Sequence, residues 1–252
     1  MALMRVVCVV FFCVLIRPSS TETVDELLNR CMVSKTQKSK PSPEPGLQGV
    51  CSPWKENSCC DAKIARDVEY NATWMDFDFN HCPGKTLSPQ CEKYFKLDLC
   101  FYECSPNKGP WIKKVDQTFR KERFIGVPLC ESDCLSWWEA CKDAYTCLSR
   151  WDKGFDWSEG QNKCPAGNEC RKFTEVFQNS VDFCQNLWGG SWKVVSDMAE
   201  ECVKIEFSGS NPNNKVAREY AGKIVSGAVT VDTHFRLTVV SVLMYICHVH
   251  LK

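Results

Sequence analysis

Histidine is nearly absent: the chain of 252 residues carries four. No two cysteines stand in a Cys-x-x-Cys pair. Zinc sites draw on those two patterns, so no metal is expected. There is no Gly-x-Ser-x-Gly elbow and no glycine-rich phosphate loop, which removes the usual footing for a serine hydrolase or a nucleotide-phosphate site. Asp76, Asp78, Asp152 and Asp156 are present, but no spacing singles out a hydrolytic carboxylate pair. Formal net charge is zero, which gives no support to nucleic acid or other polyanions as partners. No apolar run reaches the roughly 20 residues of a membrane-spanning helix. No internal repeat or second core is visible. A binding protein without cofactor is expected rather than an enzyme.

What is abundant is cysteine, at 19 residues, with nine tryptophans. The compartment decides what the cysteines do. Residues 1–5 end in a cation, 6–16 are apolar, and small and polar residues follow from Pro18. This is a signal-peptide pattern over residues 1–21, with cleavage between about Ser19 and Glu22. Cys8 and Cys13 leave with it. At the other end, Ser226-Gly227-Ala228 is followed by a mostly polar spacer over 229–236 and an apolar stretch over 237–249. That is the order of a glycolipid-anchor signal. It predicts attachment at Ser226 and loss of residues 227–252, with Cys247, His234, His248 and His250 among them. Sixteen cysteines remain in an oxidising space, the number for eight disulfides: Cys31, Cys51, Cys59, Cys60, Cys82, Cys91, Cys100, Cys104, Cys130, Cys134, Cys141, Cys147, Cys164, Cys170, Cys184 and Cys202.

Between the ends, residues 22–226 read as one disulfide-rich α+β domain, mainly helical with short strands, with a C-terminal stem from about residue 210. The organising stretch is 129–147. Read as a helix, it puts Cys130, Cys134 and Cys141 on one face beside Trp138. Such a helix can be bolted to several segments at once, and Trp137 and Trp138 read as core. Residues 22–32 suggest a short amphipathic helix and 35–46 an extended surface loop. The vicinal Cys59-Cys60 pair points to two different partners, because a bond between neighbours strains the peptide. Asn71-Ala72-Thr73 is the one glycosylation sequon. Residues 74–79 alternate as a strand, with Met75, Phe77 and Phe79 on one side. Residues 88–104 read as a helix whose inner stripe holds Cys91, Phe95, Asp98 and Tyr102. Asp98 is either a buried carboxylate, which needs a partner, or one end of a surface ion pair. Residues 109–123 read as a turn entering a basic helical segment, with Arg120 and Arg123 one turn apart. Trp188-Gly189-Gly190-Ser191-Trp192 is a turn holding two indoles. Tryptophans fixed in a rigid scaffold with a few charges suit an aromatic-walled pocket for a planar ligand.

The runs CFYECSPNKGPW (100–111), VDQTFRKER (115–123), VPLC (127–130), WWEAC (137–141) and WDKGFDW (151–157) closely resemble the folate receptor family, and the likeness extends from about residue 27 to 228. The family also contains riboflavin-binding proteins and an egg-surface receptor for sperm. The resemblance implies that Asp98 grips the pterin's ring nitrogens and amino group, while Arg120 and Arg123 bond the pterin carbonyl. Ser191 completes that end, and Trp188 is a stacking wall. Lys153, with Trp151 and Trp157, meets the glutamate tail, and Phe77 joins the wall. Met75 stands in place of a tyrosine, Phe119 and Phe155 in place of tryptophans, and Asp152 in place of a histidine. Asp152 is expected to repel the ligand's own carboxylates or a polar ring edge. The resemblance also pairs Cys130 with Cys202, Cys134 with Cys184, Cys91 with Cys141 and Cys147 with Cys164. It implies a glycolipid-anchored receptor on the outer face of the plasma membrane. Such a receptor binds folate and its reduced derivatives and delivers them by endocytosis. The alternative is an adhesion receptor of the same fold with a protein partner. Quenching of tryptophan fluorescence by folate separates the two.

Overall fold

The computed structural model describes residues 22–117, 120–198 and 201–227. The signal segment, Phe119 and the C-terminal tail from residue 228 lie outside the described residues. The chain opens with helix α1 (Val24–Leu28), started by a capping box in which Thr23 and Glu26 satisfy each other's backbone. It ends well short of Cys31, which leaves the helix to bond Cys59. A 3₁₀ turn (Gly49–Trp54) and α2 (Ala62–Tyr70), capped by Asp61, follow. Helix α3 (Pro89–Cys104) begins as its sequence dictates: Ser88 accepts from the Cys91 amide and Pro89 takes the first helical position. Its buried face includes Cys91, Phe95 and Asp98.

Helix α4 (Glu131–Cys141) is the expected hub, shorter than its sequence suggested. Leu129 and Cys130 belong to strand β5 (Val127–Cys130), paired in parallel with β8 (Trp192–Val195). Cys147 falls beyond strand β6 (Tyr145–Thr146), which pairs with β7 (Arg171–Lys172). A helix continued to Cys147 could not have supplied that pairing. Trp137, wholly buried, meets Phe95 and Phe183 edge-on at 5.4 and 5.2 Å, so it is core as expected. Trp138 packs half-buried on Phe183. Helices α5 (Phe173–Val176) and α6 (Ser180–Asn186) complete this side, and residues 213–227 are helical.

Eight disulfides tie these elements together. Cys130–Cys202, Cys134–Cys184, Cys91–Cys141 and Cys147–Cys164 are all formed. The vicinal pair diverges, Cys59 to Cys31 and Cys60 to Cys104. Cys51–Cys100 and Cys82–Cys170 are the remaining two. Helix α3 is thus fixed at both ends.

Two further sequence expectations fail. Residues 74–79 are not one strand: β1 (Thr73–Trp74) and β2 (Phe77–Asp78) form a hairpin. Met75 and Asp76 make its two-residue turn with φ of 48° and 65°, the left-handed pair that a tight hairpin requires. Met75 therefore sits at a tip, 56% exposed, and does not share a face with Phe77. Residues 109–123 are not a helix either. Pro106–Trp111 is a buried 3₁₀ turn, and β3 (Ile112–Lys114) then pairs antiparallel with β4 (Glu122–Phe124). Cross-strand hydrogen bonding replaces the basic helical turn, so Arg120 precedes a strand and Arg123 lies within it.

Gly109 shows how closely α1 and the 3₁₀ turn approach. A Cβ there would lie 1.6 Å from the Leu27 carbonyl oxygen. That atom is backbone and cannot rotate away. We expect Gly109→Ala to destabilise the domain by about 3 kcal/mol or more. Chemical denaturation, or failure of secretion, measures this; unchanged stability would contradict the packing.

Candidate ligand-binding site

The polar centre of the site is on α3. Asp98 is 7% exposed, and its Oδ1 accepts the Trp192 indole N–H at 2.8 Å. Burial pushes its pKa up to about 7, against the Trp192 and Trp188 indoles, which favour the ionised form. The Trp188 N–H is near enough for that effect, yet it is buried without a well-formed hydrogen bond. Asp98 is thus the buried carboxylate, with an indole as its partner, and not one end of a surface ion pair.

A second pole is held by the same 188–192 turn. Arg123, 6% exposed, donates through Nη2 to the carbonyls of Trp188 and Gly189 and to Ser191 Oγ at 2.9 Å. Its Nη1 donates to Asp152 Oδ2 at 3.3 Å. Its Nε is buried with no partner, a donor still to be satisfied. Burial lowers the pKa of Arg123 and nearby Arg120 lowers it further, while Asp152 opposes both. Arg120 is half-buried, donates to Gln117 Oε1 at 2.6 Å and lies against the Tyr102 phenol. The turn between α6 and β8 makes this possible because Gly189 has φ +57°, and any Cβ there would strike Asp152 and Arg150.

The walls are rings. Phe77 sits among Phe79, Phe155, Trp188, Trp151 and Trp157, with centroids 5.4, 5.5, 5.7, 5.8 and 6.3 Å away. Trp151 stacks on Phe95 at 5.0 Å and donates its N–H to Thr146 Oγ1 at 2.9 Å. His81 Nε2 is 3.0 Å from that same hydroxyl. Burial drives the His81 pKa down to about 4, so the ring is neutral at physiological pH and acts as a support. His81, Cys147 and Cys164 cluster within 4.8 Å, but both sulfurs are in one disulfide and offer no thiolate. A planar ligand stacked on both faces needs about 7 Å between its flanking rings. Phe77 and Trp188, 5.7 Å apart, must part to admit one.

Of the residues expected from sequence, Asp98, Arg123, Ser191, Trp188, Trp151, Phe77, Phe155, Trp157 and Asp152 are brought together, with Arg120 alongside. Lys153 is exposed in the turn after Asp152. Met75 is outside the ring cluster, for the turn geometry given above. Asp152 is not a bare repulsive charge. Arg150 Nε and Nη2 reach its two oxygens at 3.0 and 2.7 Å, with Arg123 beside them. Arg150 and Trp192 were missed by the sequence reading. The second indole of the 188–192 turn was the available signal for Trp192, and Arg150 gave none. A separate cleft of about 410 Å³, lined by Cys130, Asp197, Met198 and Lys204 among others, shares no residue with this site.

A bolted scaffold holding an acid, an arginine and a serine around tryptophan walls defines a small-molecule-binding protein. The model of the folate receptor family matches residues 30–204. Folate receptor gamma of Homo sapiens is 44% identical over 217 residues, covering 84% of this chain and 88% of that protein. Folate receptor alpha of Bos taurus is 42% identical over 216 residues, 84% and 89% of the two chains. The riboflavin-binding protein of Dromaius novaehollandiae is 38% identical over 183 residues, 69% and 71%. The chain belongs to the folate receptor family, whose members are binding proteins.

The Asp98 environment has a consequence for stability. A folded pKa near 7 against about 4 unfolded means that the folded state binds the extra proton between those values. The Asp98 contribution to stability is therefore greatest at the acid end and falls as pH rises toward 7, by at most about 1.4 kcal/mol per unit. Asp98→Asn keeps an acceptor for Trp192 and removes this loss. Denaturation at pH 5 and pH 8 should show wild type weakening relative to the variant at the higher pH. An identical pH dependence in both would contradict it.

Proposed function

We propose that this protein is a receptor for folate and its reduced derivatives, displayed on the outer face of the plasma membrane. The observation that carries the reading is the pair of poles on one turn, Asp98 against the Trp192 indole and Arg123 against the Trp188 carbonyl and Ser191. Asp98 can accept N–H groups from a ring edge, and Arg123 with its unsatisfied Nε can donate to a carbonyl at another. A pterin presents that complement, with Trp188 and Phe77 as apolar walls. Asp98, Arg120, Arg123 and Ser191 would hold the heterocycle, and exposed Lys153 would meet the tail carboxylates.

The acid accepts N–H groups through both oxygens only when ionised. Ligand N–H groups would pull its pKa down from about 7, so binding would release a proton and weaken by up to about tenfold per pH unit below 7. This supports uptake by endocytosis with release on acidification. Among the described residues no helix is long and apolar enough to cross a membrane. Ser226 is at the exposed end of the last helical segment, compatible with a glycolipid attached there. Asn71, exposed at the end of α2, would carry a glycan.

Titration of the secreted domain with folate, followed by tryptophan fluorescence, tests the assignment. Losing one partner of a buried charged contact costs about 2–5 kcal/mol, so Asp98→Ala should weaken folate roughly 30-fold or more. Lys153→Ala should cost less, because solvent screens that contact. Absence of any response at micromolar folate would overturn the reading and favour the adhesion alternative. Phospholipase should release the protein from cells; a retained form with an intact C-terminal peptide ending at Lys252 would exclude the anchor.

A further inference from the structure

Asp152 is an unusual neighbour for a carbonyl-binding arginine. Arg150 grips its carboxylate side-on, Nε to Oδ1 at 3.0 Å and Nη2 to Oδ2 at 2.7 Å. Oδ2 also takes Arg123 Nη1 at 3.3 Å. Side-chain exposure is 7% for both Asp152 and Arg123, against 41% for Arg150. The clamp therefore has its outer arm in solvent and its inner arm in the site. Despite burial, which works the other way, the hydrogen bond and charge of Arg150 and the charge of Arg123 keep Asp152 acidic and ionised. A carboxylate has about four acceptor directions; Arg150 and Arg123 use three.

We propose that Asp152 is a specificity-determining residue: its carboxylate offsets the charge of Arg123 and lets the site accept a heterocycle presenting either a carbonyl or an amino group there. This rests on the folate reading above. An uncompensated buried arginine meets a ring amino group donor to donor and leaves both unpaired, which rejects such a ligand steeply. With Asp152 against Nη1, the local field is less positive and one acceptor direction is free, so the amino group finds a partner. The carbonyl ligand retains Arg120, the unsatisfied Arg123 Nε and the Ser191 end.

The test compares folic acid with its 4-amino-4-deoxy analogue, in which an amino group replaces the ring carbonyl. Dissociation constants are measured for wild type, Asp152→Asn and Arg150→Met. Wild type should bind the two ligands within about tenfold of each other. Asp152→Asn keeps the shape and removes the charge, so it should widen that ratio about tenfold or more, chiefly by weakening the amino ligand. Arg150→Met also breaks the clamp but keeps the carboxylate, so it should leave the ratio near the wild-type value. Equal shifts of both ligands in both variants would show a merely structural clamp and overturn the proposal while folate binding stands. A wild-type ratio beyond about a hundredfold would overturn it with no variant needed. Wild type binding neither ligand would overturn the folate reading itself.

Discussion

Desolvation of one carboxylate is the constraint on which the rest of the site depends. Asp98 is on the inner stripe of α3, where little water reaches it and its pKa rises to about 7. Holding a charge there demands a scaffold that does not relax. Three disulfides from that single helix, to Cys141, Cys51 and Cys60, supply the rigidity. The Trp192 indole supplies a well-formed hydrogen bond. A helix free to shift would let water in, and the carboxylate would return to its ordinary range.

The 188–192 turn couples the two poles. Trp192 bonds Asp98, while the carbonyl of Trp188 and the hydroxyl of Ser191 hold Arg123. The Gly189 backbone allows the approach, and the parallel β5–β8 pair fixes where the turn emerges. A ligand bridging acid and arginine would then be read by one short segment. Behind it, the neutral His81 and Trp151 meet at the Thr146 hydroxyl, so the indole wall is held by polar bonds as well as packing.

Much of this was legible in the sequence, for identifiable reasons. Helical periodicity depends on local spacing, and it put Asp98 on the face of Cys91 and Phe95, where it lies. Cysteine number and compartment gave eight bridges, and the resemblance gave four of their pairings. What escaped depends on contacts distant in the chain. Residues 112–114 and 122–124 pair across a loop, which no local pattern in 109–123 revealed. Met75 and Asp76 adopt left-handed φ without glycine, so alternation over 74–79 read as one strand. Asp152 read as a repulsive charge because spacing alone does not show that Arg150, two residues before it, folds back side-on onto its carboxylate, or that Arg123, 29 residues away, meets the same oxygen.

The most direct measurement is the ionisation of Asp98 itself. Carbon-13 labelling of the aspartate carboxyls, with the Asp98 resonance assigned from the Asp98→Asn variant, would follow its titration with and without folate. The account predicts a midpoint near 7 in the free protein, moving to lower pH when folate is bound. A midpoint in the ordinary range near 4 in the free protein, unmoved by ligand, would contradict it.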